Sequence, residues 1–195
     1  MRRAVSRKAP LLLSAALVLL ASPQGRAQTL PTGGSVAAGS ATIRSGANSV
    51  TVHQDSAHAV VNWNGFNVGS GKTVTFDQPG AGSAILNRVT GAGVSNIAGS
   101  VTSNGQVFLV NRNGIVVTPT GTIKTAGGFV GSTLDITNAD FMAGRYNFAG
   151  TGAGAIVNQG AITANPGSAI ALLGASVSNE GVISAPLGKV AIGSG

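Results

Sequence analysis

The sequence predicts an all-β protein wound as a parallel β-helix. Three observations carry that expectation. Glycine is abundant (30 of 195 residues), while charge is held to 9% and aromatics to 4%. The remainder, rich in small and β-branched residues, suits strands and turns better than packed helices. Short apolar runs are punctuated throughout by Asn and Gly. One stretch also repeats: Gly160-Ala161-Ile162-Thr163-Ala164 returns 21 residues later as Gly181-Val182-Ile183-Ser184-Ala185, with Asn158 mapping to Asn179 and Gly167 to Gly188. Looser echoes occur at Gly99-Ser100-Val101, Gly114-Ile115-Val116 and Gly121-Thr122-Ile123. A period near twenty residues, made of strands and turns, is the pattern of a β-solenoid. One coil cannot close a core; coils stacked at about 4.8 Å align their Val, Ile and Leu side chains inside.

The elements follow in chain order. Arg2, Arg3, Arg7 and Lys8 precede an apolar stretch at residues 11–21. That stretch is short for a bilayer span and, with its basic flank, reads as a secretory signal peptide. Gly25-Arg26-Ala27 places small residues for cleavage after Ala27. The expected division is residues 1–27 as signal peptide and 28–195 as one domain. Removing the leader takes five basic residues with it, so the net charge falls from +7 to +2. Nucleic-acid binding thereby loses its electrostatic support. The chain has no cysteine, so an exported domain would draw its stability from stacked repeats.

Residues 28–40 read as a flexible start. Strands are expected at residues 40–44, 49–54, 59–63, 65–69 and 73–76, several with period-two alternation. Gln78-Pro79-Gly80 ends the last of these, since proline removes a ladder donor. From Ser83 the strands shorten: residues 84–89, the run through Asn96 to Val101, residues 107–110, 115–117 and 120–123. Residues 131–150 break the rhythm with Asp135, Asp140, Phe141, Arg145, Tyr146 and Phe148. They read as an excursion, a hairpin or loop packed outside the helix.

Asn111-Arg112-Asn113-Gly114 sits between two apolar runs. Taken alone it suggests a tight hairpin, because Asn and Gly accept positive φ cheaply. The repeat changes this to a corner between successive strands of one coil, whose neighbours lie in the coils above and below.

Several residues invite a chemical reading. Paired carboxylates would be needed for glycoside hydrolysis; Asp135 and Asp140 lie together only in the excursion and read as solvated. His53, Asp55 and His58 lack a further ligand for a metal. Gly69-Ser70-Gly71-Lys72-Thr73 imitates a phosphate loop but has Phe66 where the pattern needs glycine, and a strand follows it. Trp63, Phe66 and Phe76 read as a core or cap cluster before a ligand platform. No catalytic, cofactor or metal residues are assigned.

A set of motifs in order gives a family resemblance. They are Val60-Val61-Asn62-Trp63-Asn64-Gly65-Phe66-Asn67-Val68-Gly69, Val74-Thr75-Phe76-Asp77-Gln78-Pro79, Leu86-Asn87-Arg88-Val89-Thr90-Gly91, residues 107–115, and Gly127-Gly128-Phe129-Val130-Gly131-Ser132-Thr133-Leu134-Asp135-Ile136 with Asp140-Phe141. The chain resembles, from about Ser40 onward, the N-terminal haemagglutination activity domain of two-partner secretion (TPS) exoproteins such as filamentous haemagglutinin. The resemblance implies a right-handed, single-stranded parallel β-helix with an N-terminal β cap and extra-helical β elements. It also implies Sec export and recognition by an outer-membrane TpsB-type transporter of the Omp85 class, with POTRA domains and a β-barrel. Secretion to the cell surface or beyond follows, without enzymatic activity, cofactor or nucleic acid. A host-cell receptor or glycan would be reached through the full-length adhesin or toxin. Because the repeat pattern runs to Gly195, the resemblance implies the N-terminal part of a longer exoprotein. Asn111, Arg112, Asn113, Gly114 and Ile115 are the implied secretion and partner-recognition motif. Arg112 stands where the family turn usually has proline.

Overall fold

Inward-facing residues of successive strands stack in columns, and those columns define the architecture. In the computed structural model, which describes residues 30–194, Ala59, Ile85, Val107, Phe129, Ile170 and Val190 form one such column by strand register. Val50, Val74, Val101, Ile123, Ile162 and Ile183 form another. Burial of these aliphatic columns supplies the main stabilising term, and each backbone ladder holds the next coil in register.

The strands carrying them are β1 (Ser35–Ala38), β2 (Ala41–Ser45), β3 (Ser49–Gln54), β4 (His58–Trp63), β5 (Thr73–Asp77), β6 (Ala84–Val89), β7 (Ser95–Ile97), β8 (Ser100–Ser103), β9 (Gln106–Val110), β10 (Ile115–Val117), β11 (Thr122–Thr125) and β12 (Gly128–Ser132). After a one-turn helix, α1 (Asn138–Met142), come β13 (Ala155–Asn158), β14 (Ala161–Ala164), β15 (Ala169–Gly174), β16 (Ser176–Asn179), β17 (Val182–Ser184) and β18 (Lys189–Ser194). They form three sheets. Sheet I runs β1-β4-β6-β9-β12-β15-β18, sheet II β16-β13-β10-β7, and sheet III β17-β14-β11-β8-β5-β3-β2. The pairing is parallel except at the N-terminal end, where β1 on β4 and β2 on β3 are antiparallel. These two strands are the β cap, and the expected parallel β-helix is the observed fold.

Glycines at the corners before β8, β11, β14 and β17 let the coils close. A Cβ on Gly121 would lie 2.0 Å from the Ile97 carbonyl oxygen, and one on Gly160 2.3 Å from that of Gly121. The 21-residue repeat is this corner: Ala161 pairs with Val182, and Asn158 with Asn179, whose amides bond at 2.7 Å. Gly99-Ser100-Val101 and Gly121-Thr122-Ile123 belong to the same column. Gly114-Ile115-Val116 belongs to a different corner, leading into sheet II.

Four expectations need correction. Residues 28–40 are not simply a flexible start, because β1 lies within them and caps sheet I; residues 28 and 29, like the expected signal peptide and cleavage site, lie outside the described residues. Residues 65–69 make isolated bridges at Gly65 and Val68 and no strand; Phe66 and Val68 still point inward, so the alternation was right and the ladder absent. Gly167 does not match Gly188. β15 and β18 are offset by twenty residues (Ala169 to Lys189), so Gly167 is level with Leu187. The excursion is neither hairpin nor plain loop. It contains α1 and one antiparallel bridge, Asp135 to Ala149, and it packs on the outer face of sheet I. There Ile136 and Phe141 join Val60, Ala84, Leu86, Phe108 and Val110 in a second apolar cluster, separate from the interior.

Candidate recognition surface

The turn at residues 111–114 is a corner, as expected: β9 belongs to sheet I and β10 to sheet II. Asn111 is fully buried. Its Nδ2 donates to the Gly93 carbonyl and to Ser95 Oγ, both at 2.9 Å, and its Oδ1 accepts from the Asn113 backbone N–H at 3.0 Å. Burying an amide is tolerable only with its bonding satisfied, and both ends are. Asn113 Nδ2 donates to the Gly91 carbonyl at 2.9 Å. Gly114 closes the turn by donating to the Asn111 carbonyl, at φ +118°, which a side chain would disfavour. Ile115 points into the core. Of the five motif residues, only Arg112 and Asn113 face solvent. Arg112 makes no side-chain hydrogen bond or ion pair among the described residues, and its carbonyl accepts from Gly154.

Beside this corner lies a polar groove of about 610 Å³. Thr90-Gly91-Ala92 and Thr151-Gly152-Ala153 both line it, together with Val89, Val110, Arg88 and Arg112. Arg88 ties the excursion to the coils. Its Nε donates to Asp135 Oδ1 at 2.8 Å, its guanidinium reaches Asn138 Oδ1 at 2.7 Å, and it also bonds the Ile136 carbonyl. Asp135 is thereby held as a structural counter-ion.

Asp140 bonds Arg145 and the Thr137 hydroxyl, and these donors hold its carboxyl below the usual 3.8. A general acid for glycoside cleavage needs the opposite shift. His53 lies between Asp77, at 2.8 Å, and Asp55, at 3.4 Å, whereas His58 faces Phe141 and Tyr146, so the two histidines are not brought together. Lys72 is spent on the Ala47 carbonyl and Asn48 Oδ1. Trp63, Phe66 and Phe76 are a buried cluster, Trp63 Nε1 donating to Asn87 Oδ1 at 2.9 Å.

Arg88 and the groove were not singled out from sequence as functional. Arg88 and Gly91 lie in a quoted motif, but Asp135 is 47 residues away, and no local pattern announces that pairing.

The sequence profile of the TPS secretion domain matches residues 27–195. The chain belongs to the TPS secretion domain family. Two heme/hemopexin-binding proteins of Haemophilus influenzae are 41% identical over 103 residues and 35% identical over 102, about half of this chain in each case. The crystal structure of the HMW1 secretion domain, also from Haemophilus influenzae, is 38% identical, covers 78% of this chain and 41% of that one, and superposes with a TM-score of 0.74. The matched region spans 11% of the curated relatives' length. The TPS assignment makes this a secretion domain of a two-partner secretion exoprotein, a family defined by export across the outer membrane and not by catalysis.

Proposed function

We propose that this TPS domain directs its exoprotein to a dedicated outer-membrane transporter of the Omp85 class, engaging the transporter's POTRA domains before passage through its β-barrel. Residues 1–27 serve as the Sec signal peptide, and the processed chain from residue 28 is the secretion domain at the head of a longer exoprotein. Asn111, Arg112, Asn113, Gly114 and Ile115 form the recognition motif. Asn111, Gly114 and Ile115 act through the corner they build, and Arg112 and Asn113 offer the exposed contacts. Engagement proceeds by β-augmentation, in which backbone groups carry the affinity. Adhesion to a host receptor or glycan, or toxicity, resides in the full-length protein.

The observation that carries this reading is a TPS match across the whole capped β-helix. The test is to fuse residues 1–195 to an inert reporter and measure its release with and without the cognate transporter. Release that depends on the transporter supports the proposal; equal release in both strains sinks it.

A further inference from the structure

We propose that Asn64 is a site of spontaneous deamidation and isoaspartate formation in the folded domain, and that the fold shields Asn104 and Asn113 from the same reaction. An asparagine followed by glycine is chemically labile, because the glycine nitrogen has no side chain beside it to hinder attack on the asparagine amide carbon. The glycine N–H gives its proton to base, the nitrogen bonds to asparagine Cγ, and the Cγ–Nδ2 bond breaks to release ammonia. Water then opens the cyclic imide at one of its two carbonyl carbons. The product is aspartate or, with the main chain rerouted through Cβ and Cγ, isoaspartate. Water is the only co-reactant, and nothing is oxidised or reduced. The sequence holds three such pairs: Asn64-Gly65, Asn104-Gly105 and Asn113-Gly114. All three asparagines are exposed, so access to water does not separate them.

Hydrogen bonding does. Asn104 Oδ1 accepts from the Gln78 N–H at 2.7 Å, and its Nδ2 donates to the Gln78 carbonyl at 2.8 Å. The N–H of the buried Gly105 is spent on Ser103 Oγ at 2.9 Å. Asn113 Nδ2 donates to the Gly91 carbonyl at 2.9 Å and to Asn111 Oδ1 at 3.1 Å, and the buried Gly114 N–H donates to the Asn111 carbonyl at 3.0 Å. In both pairs the amide turns toward the nitrogen only by giving up two bonds, and the nitrogen is itself held. Asn64 differs on each count. Its side-chain amide makes no hydrogen bond among the described residues. Gly65 is half-buried, and its N–H reaches the Thr32 carbonyl at 3.4 Å, the longest of the three glycine bonds. The consequence falls on the N-terminal cap. Thr32 donates to the Gly65 carbonyl at 2.9 Å, an antiparallel bridge shortly before β1. A Cβ on Gly91 would lie 2.1 Å from the Asn64 carbonyl oxygen, and one on Gly33 2.7 Å from Asn64 Cβ. The main chain at Asn64 is therefore packed on both sides, and the extra backbone carbon of isoaspartate is accommodated only if the Thr32 bridge parts.

The test is peptide mapping by mass spectrometry, with aspartate and isoaspartate forms separated, after the purified chain is held in mildly alkaline buffer with and without urea. In the folded chain Asn64 should convert at least about tenfold faster than Asn104 or Asn113, which must wait for local opening. In urea the three should convert within about threefold of one another, since the bonds that distinguish them are gone. Conversion of Asn104 or Asn113 as fast as Asn64 in the folded chain overturns the proposal. So does an intact Asn64 after a time that converts it in urea. Amide exchange then reads the effect on the cap. The aged isoaspartate fraction should lose protection in β1 while β11 and β14 keep theirs. Asn64→Asp carries the charge without the extra carbon and should keep β1 protected; Asn64→Gln, whose ring closes more slowly, should keep it through the same incubation. Equal loss of β1 protection in aged Asn64→Gln would show that the cap loosens for another reason and overturn the link to this residue.

Discussion

The coil stack and the excursion solve the same burial problem in opposite ways. In the stack, interior columns of Val, Ile and Leu are repeated from coil to coil, and each backbone ladder is backed by the next. In the excursion the packing is aromatic and occurs once. Phe108 meets Phe141 edge-on at 5.1 Å and Tyr146 at 4.7 Å, and burial pushes the Tyr146 phenol above its ordinary value. The main polar tie to the coils is Arg88. Redundancy makes the stack tolerant of local loss but global in its failure. Single-copy contacts make the excursion a separate opening unit, the kind of local unfolding that costs less than the whole.

Truncating one phenylalanine in each region breaks the comparison most sharply. Phe129 in the interior column and Phe141 in the outer cluster are both fully buried, so either change to Ala costs about 3–5 kcal/mol. Phe129→Ala should lower the global melting temperature. Phe141→Ala should mainly open residues 138–150 to protease while the coils keep their exchange protection. Equal global destabilisation by both would show that the excursion is part of one cooperative unit.

Arg88→Leu comes next. It strands the Ile136 carbonyl and Asn138, and returns a half-exposed Asp135 to solvent, a cost of about 1–3 kcal/mol. Limited proteolysis within residues 143–150 should accelerate with the coil melt nearly unchanged. A matching fall in the coil melt would place Arg88 in the stack's energetics instead.

The stack was the more legible region, for the reason that makes it stable. Its pattern repeats, so Asn158 and Asn179, or Gly160 and Gly181, announce each other in sequence. What escaped notice depends on geometry that does not repeat. Arg88 and Asp135 meet only because the excursion folds back over sheet I. The α1 helix did leave a local signal: Thr137 is an N-cap residue whose hydroxyl oxygen accepts from the Asp140 N–H at 3.1 Å and whose hydroxyl donates to the Asp140 carboxylate at 3.0 Å. Its five residues carry too little periodicity to compete with the strand rhythm. At the Asn111–Gly114 corner, the turn and its Asn/Gly chemistry could be read, but not the groove, which also takes in residues 151–153 after the excursion. The mismatch at Gly167 has a similar origin, since the last two coils are offset by 21 residues at sheets II and III and by 20 at sheet I.

That shorter spacing places Leu187 level with Gly167 and forces it to φ 54°, where a side chain is disfavoured. It is 95% exposed, so no packing compensates. Leu187→Gly should stabilise by up to about 1 kcal/mol, the left-handed penalty less glycine's own entropic cost. The gain should appear in exchange protection of β17 and β18 and nowhere in the excursion. No gain would mean that the end coil already frays around this residue.

Acid should separate the two regions with the smallest perturbation. Arg145 and Thr137 lower the folded-state pKa of Asp140 below its ordinary 3.8. A carboxyl depressed on folding binds a proton more readily when unfolded, so its contribution is complete well above pH 3.8 and is lost as pH falls through the lower folded value. The pair is exposed and salt-screened, so the effect is small. It is nevertheless confined to α1 and the Arg145 return. As pH falls below 3.8, amide protection of Phe141 and Arg145 should fall before that of β11 or β14. Asp140→Asn should remove this pH dependence while leaving the coils unchanged. An identical acid profile in Asp140→Asn would assign the early opening to another group and remove this ion pair from the contacts that hold the excursion.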